Sequence, residues 1–148
     1  MDRDVLIHIN GIQYTGGDEP EPVEVITPGQ YYYRNGNHYL TFEDITDNPN
    51  ERTSSIMKFR PAYLEVKKKG FVDTRMVFEE NKKTLTLYET PFGVMNVSVS
   101  ATSIRLKEEK ESIELIAEYA LDINNSYMAD CSITLTARSK KQGLELSS

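Results

Sequence analysis

Apolar and polar residues alternate along most of this chain with a period of two residues. In the first predicted strand, over residues 3–14, Val5, Ile7 and Ile9 occupy every second position. Their side chains therefore lie on one face, as expected for a strand with one buried face. Similar short runs are separated by clusters of turn residues, such as "TGGDEPEP" at residues 15–22, and helical stripes are almost absent. The pattern predicts an all-β protein.

The segment "YYYRNGNHYLTFED" predicts a tight hairpin around Asn35-Gly36. A two-residue type I′ turn requires positive φ at both central positions, which Asn tolerates and Gly accepts freely. That loop sets residues opposite each other in three ring-rich pairs, Tyr33 with His38, Tyr32 with Tyr39, and Tyr31 with Leu40. One face then carries Tyr31, Tyr33, His38, Leu40 and Phe42, and we expect that face to point into the core while Tyr32 and Tyr39 lie together on the other face.

Two later hairpins are predicted from turn residues and apolar pairing. A two-residue loop at Asn81-Lys82 sets Phe78 opposite Leu85 and Met76 opposite Leu87. For the last hairpin, a two-residue loop at residues 124–125 and a three-residue loop at residues 124–126 are both open. We favour the longer loop because it places three apolar pairs opposite each other, Tyr119 with Cys131, Ala117 with Ile133, and Leu115 with Leu135.

The strand starting near Gly93 changes the phase of its apolar residues, which predicts a β-bulge near Thr102. Eight to ten strands joined by tight turns form an antiparallel meander, and closure into an up-and-down barrel removes its exposed edges. Pro28-Gly29 and the Pro-Phe-Gly at residues 91–93 are expected where the wall bends. We expect one barrel domain over residues 1–138 and a frayed tail over residues 139–148.

The motifs "DVLIHINGIQ", "ITPGQYYYRNGNHYLTFED", "RMVFEENKKTLTLYETPFGVM" and "EYALDINNS" follow one another in this order. Together they resemble the YwiB-like family of small bacterial proteins, a family of unknown function. The resemblance covers nearly the whole chain. It implies a lipocalin-like (calycin-type) β-barrel and a bacterial cytoplasmic setting, and it supplies no catalytic or binding residues.

Composition narrows the choice of partner and compartment. The chain has 17 basic and 23 acidic residues, a formal net charge of −6, which opposes long-range attraction to nucleic acid or anionic lipid. Its apolar runs are too short for a membrane-spanning helix, and residues 1–10 lack the features of a secretory signal. Cys131 is the only cysteine, so an internal disulfide is impossible. We expect a cytoplasmic protein that binds neither nucleic acid nor membrane.

The ring-rich hairpin face is the main candidate site. Our first hypothesis is a barrel that binds a small apolar or aromatic ligand, with lining residues Tyr31, Tyr33, His38, Leu40 and Phe42. A barrel of this size can also be filled by its own side chains. The alternative is therefore a filled-core module that acts through its outer surface, with Tyr32 and Tyr39 as interface residues of a homodimer or another complex.

Weaker candidates complete the set. Arg75 and Tyr88 are expected opposite each other on an outer stripe, where Arg75 could receive a carboxylate if the stripe faced inward. Known catalytic and cofactor motifs are missing, and His8 and His38 are far apart in the chain. We expect no cofactor and no metal site. The acid pairs Glu79-Glu80 and Glu108-Glu109 are expected to be solvated beside turns, so enzymatic function is the least favoured hypothesis.

Overall fold

The computed structural model of the protein describes residues 1, 3–14, 21–44, 53–70, 73–90 and 93–140. These residues form ten β-strands: β1 (Asp4–Tyr14), β2 (Glu21–Arg34), β3 (Asn37–Asp44), β4 (Thr53–Arg60), β5 (Tyr63–Gly70), β6 (Thr74–Glu79), β7 (Lys83–Thr90), β8 (Gly93–Glu108), β9 (Ser112–Ile123) and β10 (Ser126–Ser139). The predicted all-β class is confirmed, and the strand number is at the upper end of the predicted range.

The ten strands form one antiparallel sheet that curves into a nearly closed barrel. Its order is β6-β5-β4-β3-β2-β1-β10-β9-β8-β7. Every ladder joins strands that follow each other in the chain, except the ladder between β1 and β10, in which Ile9 is paired with Leu135. The edges β6 and β7 face each other at a seam.

Turn chemistry set the register of the ring-rich hairpin as predicted. Asn35 and Gly36 have φ values of 52° and 80°, and the three expected ring-rich pairs are all present. The predicted bulge is also present, because the register of β8 against β9 shifts between Ala101 and Ser103. Thr102 is the extra residue.

The last hairpin has the predicted register but a different loop. The three expected pairs, including Leu115 with Leu135, are formed. The turn nevertheless has only two residues, Asn124 and Asn125, both with positive φ, and Ser126 already pairs with Ile123. A bulge between Tyr127 and Ala129 supplies the extra residue, so a bulge replaced the predicted longer loop.

The predicted pairing of β6 with β7 is wrong. Phe78 is paired with Leu64 and Met76 with Val66 on β5, whereas Leu85 and Leu87 are paired with β8 and are 62% and 61% exposed. Their turn is held by β8 instead. The amide of Asn81 donates to the carbonyl of Ala101 at 2.8 Å, and that of Ile104 donates to the Glu80 carboxylate at 2.9 Å.

Threonine hydroxyls close the seam where a backbone ladder is missing. Thr84 Oγ1 donates to the carbonyl of Val77, and Thr86 Oγ1 donates to the carbonyl of Arg75 at 2.9 Å. Between the described strands β6 and β7 no ladder is formed, so these side-chain bonds satisfy carbonyls that an ordinary barrel would pair with amides.

The inward face of the barrel is filled with side chains. Ile7, Leu40, Phe59 and Leu115 have at most 1% of their surface exposed, and they belong to one hydrophobic cluster that draws on most strands. Burial of each such side chain contributes about 1.5–3 kcal/mol relative to exposure. The interior therefore stabilises the barrel directly.

Two predicted boundaries shift. Glu21 and Pro22, assigned to a loop from sequence, pair with β1, and Ser139, assigned to the tail, is fully buried and pairs with Val5. Residues 15–20 and 141–148 lie outside the described part of the chain. Across the part that is described, no helix is long and apolar enough to cross a membrane.

Candidate functional site

A cleft opens in the barrel wall where β2 changes partners. Residues 21–30 of β2 pair with β1, but only residues 30–34 pair with β3. Gln30 is the crossing point, with Asp4 on one side and Thr41 on the other. N-terminal to it, β2 and β3 diverge, and Pro28 has no amide hydrogen with which to extend the ladder.

The crossing itself is tight enough to require glycine. A Cβ atom at Gly29 would lie 2.3 Å from Ile7 Cδ1 and 2.6 Å from the carbonyl oxygen of Thr41. Both distances are far below van der Waals contact. Glycine is therefore required where β2 leaves β3, and β2 runs without interruption through Pro28 and Gly29. Residues 91 and 92, in the other predicted bend, lie outside the described part of the chain.

The cleft has a volume of about 710 Å³, within the usual range for small-ligand sites. Its lining includes the buried side chains of Phe42 and Ser55. Ionisable side chains at its border are Asp4, Glu43 and Lys140. The cleft thus combines one aromatic ring with polar groups of both signs.

A second group of side chains lies at the barrel mouth beside the Asn35-Gly36 turn. His38 is 6% exposed, and its two ring nitrogens are both engaged. The Tyr31 hydroxyl lies 2.8 Å from Nδ1, and Glu108 Oε1 lies 2.5 Å from Nε2. In the neutral ring that burial favours, Nε2 carries the proton and donates to the Glu108 carboxylate, so Nδ1 accepts from the Tyr31 hydroxyl.

Aromatic rings enclose the imidazole of His38. Phe59 is stacked on it with centroids 5.2 Å apart, and Tyr33 is tilted against it at 4.9 Å. Burial lowers the pKa of His38, although the nearby Glu108 carboxylate acts in the opposite direction. Burial, followed by the charge of Glu108, raises the pKa of Tyr31. The phenol therefore stays protonated and serves as a hydrogen-bond donor rather than as a nucleophile.

The five predicted lining residues do not form one pocket. Tyr31, Tyr33 and His38 lie together at the mouth, where Tyr33 is 59% exposed. Leu40 is fully enclosed by the core, and Phe42 lines the wall cleft. The expectation that Tyr33 points into the core is wrong, because it lies at the open mouth beside the turn. Phe42 is separated from the others because it lies beyond Thr41, where β2 and β3 are no longer paired.

The remaining candidates lie on the outer wall or outside the described side chains. Tyr32 and Tyr39 are stacked with centroids 4.7 Å apart and an interplanar angle of 8°. Arg75 is not opposite Tyr88, because it pairs with Lys67 on β5 and its Nε donates to Glu65 at 3.1 Å. The side chain of Tyr88 is outside the described part of the structure.

Sequence reasoning missed Glu108 as a partner of His38. Glu108 ends β8 and reaches His38 across the barrel mouth rather than along a ladder. Its acidic neighbour Glu109 made it resemble a solvated turn residue, and no local signal identified it. Glu65 was also missed: it is only 8% exposed on the outer wall, where its carboxylate accepts from Tyr63 Oη and Arg75 Nε.

Comparison with known proteins agrees with the fold. A family model described as a domain of unknown function (DUF1934) matches residues 7–135. The uncharacterized beta-barrel protein YwiB of Bacillus subtilis (strain 168) is 24% identical over 132 residues, 88% of this chain and 91% of that protein. The crystal structure of ywiB protein from Bacillus subtilis has a TM-score of 0.76 at 20% identity, over 93% of this chain and 92% of that one.

Proposed function

The chain belongs to the DUF1934 family of domains of unknown function, which has a YwiB-like β-barrel, and on that premise we propose that it binds a small molecule in the wall cleft. The cleft of about 710 Å³ carries this proposal. The ligand class is a compact molecule with an apolar or aromatic body and polar groups at its edge. The compartment proposed for this activity is the cytoplasm, consistent with a single, buried cysteine.

Chemistry inside the cleft supports that ligand class. Phe42 offers an apolar surface on which a ring can pack, while Thr27, Thr41 and Ser54 supply hydroxyl groups along the lining. A site of this type binds through the apolar body of a ligand and orients it through a few polar contacts.

The charges at the border narrow the class further. Among the described residues of the lining, Asp4 and Glu43 provide two carboxylates against one ammonium, that of Lys140. An anionic ligand would meet net repulsion at this border. We therefore expect a neutral or cationic ligand.

The test is native mass spectrometry of protein isolated gently from its own cells, combined with a variant that fills the cleft. Ser54 lies on the lining and is exposed, so Ser54→Trp can occupy the cleft without a change in the core. We expect an additional mass on the natural protein and its loss from Ser54→Trp.

Ser126→Trp is the matched control, because Ser126 is also an exposed strand serine but is not part of the cleft lining. This variant should retain the additional mass. Recovery of the natural protein without any additional mass, or equal loss from both variants, would count against the proposal.

A further inference from the structure

The outer surface of β2 to β6 concentrates basic residues. Inward positions of these strands are occupied by core side chains such as Phe59 and Leu64, so the alternate positions face outward. Residues 30–34 of β2 and strands β3 to β6 place six basic side chains on this outer side: Arg34, Lys58, Arg60, Lys67, Lys69 and Arg75. We call this surface the basic face.

The charge of the basic face is opposite to that of the whole chain. Its acidic residues are Glu43, Glu65 and Glu79, so the face has a formal excess of three positive charges in a chain of net charge −6. Glu65 is largely withdrawn from solvent by bonds from Tyr63 Oη at 2.7 Å and Arg75 Nε at 3.1 Å. The exposed surface is therefore basic.

Tyrosine rings are interspersed among these charges. Tyr32 is stacked on Tyr39 and is 44% exposed. On the side away from Tyr39, the ladder with β1 ends at Asp4 opposite Gln30, and the Arg3 carbonyl still accepts from the Tyr31 amide at 2.8 Å. Tyr32 thus offers an exposed ring on the same face as Arg34 of its own strand, and Tyr39 separates it from Lys58 on β4.

A second ring is combined with a fixed cation. The guanidinium of Arg60 lies 3.9 Å from the centroid of the Tyr63 ring, and its Nη1 donates to Asn37 Oδ1 at 3.0 Å. Such a restrained guanidinium loses little conformational freedom when it binds a phosphate. The basic face therefore has both stacking surfaces and pre-oriented positive charge.

We propose that the basic face binds single-stranded nucleic acid. Stacking of bases on aromatic rings within a positively charged surface is the way in which sheets bind single strands without sequence preference. Five strands spaced about 4.8 Å apart give a width of roughly 20 Å, enough for a few nucleotides. The net charge of −6 led us to expect no binding of nucleic acid, but net charge is an average over the whole chain, and this local surface is basic.

Other occupants fit the basic face less well. A second copy placed face to face would bring like charges together, at a cost in free energy. A protein partner would require an apolar interface core, but the outward aliphatic side chains here are Ile56 and Val77, which are already half-buried.

The test is fluorescence anisotropy with a labelled 12-nucleotide oligouridylate at low and moderate salt. We expect saturable binding that weakens as salt increases. The double variant Lys67→Glu/Lys69→Glu should lower the affinity by about tenfold or more. Tyr32→Ala should lower it by about fivefold or more, while Tyr32→Phe, which keeps the ring, should bind like the natural protein.

Arg105→Glu/Lys107→Glu is the matched control, because both residues are exposed on β8, outside the basic face. This variant should retain affinity. Undetectable binding at low salt, or equal losses in the two charge-reversal variants, would overturn the proposal. So would equal binding of double-stranded RNA or polyphosphate without any effect of Tyr32→Ala, since that result indicates a general polyanion site. Self-association that Lys67→Glu/Lys69→Glu abolishes would assign the face to a second copy instead.

Discussion

Side chains from several strands contact the imidazole of His38, and they determine its pKa and, with it, how the stability of the fold responds to pH. Tyr31 and Tyr33 come from β2, Phe59 from β4 and Glu108 from β8. Protonation of Nδ1 would remove the acceptor for the Tyr31 hydroxyl. Burial lowers the pKa of His38 and favours the neutral ring, and the Glu108 carboxylate partly opposes this effect.

We predict that this arrangement makes the fold less stable in mild acid. Burial lowers the pKa of His38 in the folded state below the ordinary value of 6.5. Below pH 6.5 the unfolded chain binds a proton that the folded chain binds only at lower pH, so the free energy of unfolding decreases as pH falls through that range. Urea unfolding at pH 7.5 and at pH 5.5 measures the difference.

His38→Gln should reduce this pH dependence, and His8→Gln on β1 should leave most of it in place. Other ionisable groups are shared by the natural protein and His38→Gln, so the difference between these two proteins isolates the contribution of His38. An unchanged pH dependence in His38→Gln would show that His38 is not its source.

Ala62 has an unusual backbone conformation, with a φ of 67° in the turn after Pro61. A left-handed conformation costs a non-glycine residue about 1–2 kcal/mol, and the greater flexibility of glycine in the unfolded chain offsets part of the gain. We predict that Ala62→Gly raises the free energy of unfolding by about 0.5–1 kcal/mol.

Ala120→Gly provides the comparison, because Ala120 lies within β9 with ordinary strand geometry. Glycine there should lower the free energy of unfolding by about 0.5–1 kcal/mol. Chemical denaturation of both variants gives the two signs. If Ala62→Gly destabilised the protein as much as Ala120→Gly, turn strain would not be the explanation.

Among the elements, the seam between β6 and β7 depends on two threonine hydroxyls. Replacement by valine keeps the shape of each side chain and removes the bonds to the carbonyls of Val77 and Arg75. At about 0.5–1.5 kcal/mol per bond, Thr84→Val/Thr86→Val should lower the free energy of unfolding by about 1–3 kcal/mol.

Hydrogen exchange distinguishes this local effect from general destabilisation. Amides of β6 and β7 should exchange faster in the double variant, and those of β1 and β10 should change least. Thr102→Val is the control, since the Thr102 hydroxyl donates to the carbonyl of Glu118 at an exposed bulge. Uniform acceleration of exchange in every strand would contradict a role confined to the seam.

Local turn chemistry explains which elements could be predicted. Asn35-Gly36 fixed its hairpin because the turn type and the register are determined by adjacent residues. Asn81-Lys82 has a similar sequence signal, but this turn is hydrogen-bonded to β8. The Asn81 amide donates to the Ala101 carbonyl, and the Glu80 carboxylate accepts from the Ile104 amide. Those contacts lie about twenty residues away, so no local pattern could reveal them.

At the scale of the whole molecule, closure explains what sequence could predict of the candidate sites. Alternation predicted that Tyr31, Tyr33 and His38 share a face, but not that Glu108 would meet them across the barrel mouth. The wall cleft was equally hidden, since it arises from a partner change within a single continuous strand. Net charge is only an average over the chain and could not show where basic residues lie together, because that depends on which strands are neighbours in the sheet.

The same closure makes one ladder much more distant in the chain than the others. β1 pairs with β10, so Ile9 meets Leu135, while every other ladder joins consecutive strands. A circular permutant can link residue 148 to residue 1 of this sequence and open the chain between Asn81 and Lys82. Its first strand would then be β7 and its last β6, so the two edges of the sheet would become the two ends of a meander in which every ladder is local.

We predict that this permutant keeps the fold and refolds faster than the natural chain. The loop that must close before β1 pairs with β10 is shorter in the permutant, which lowers the entropic cost of closing it by about 1.5 kcal/mol. The folding rate should then rise about tenfold if that ladder forms in the transition state. Loss of the turn bonds at Asn81 and Lys82 should lower the free energy of unfolding by about 1–3 kcal/mol.

A permutant opened at Gly36 is the control, since it makes the ladder between β1 and β10 local but separates β2 from β3 in the chain. Stopped-flow refolding measures all three chains, and equal rates in the natural chain and the Asn81 permutant would mean that β1 and β10 pair only after the rate-limiting step.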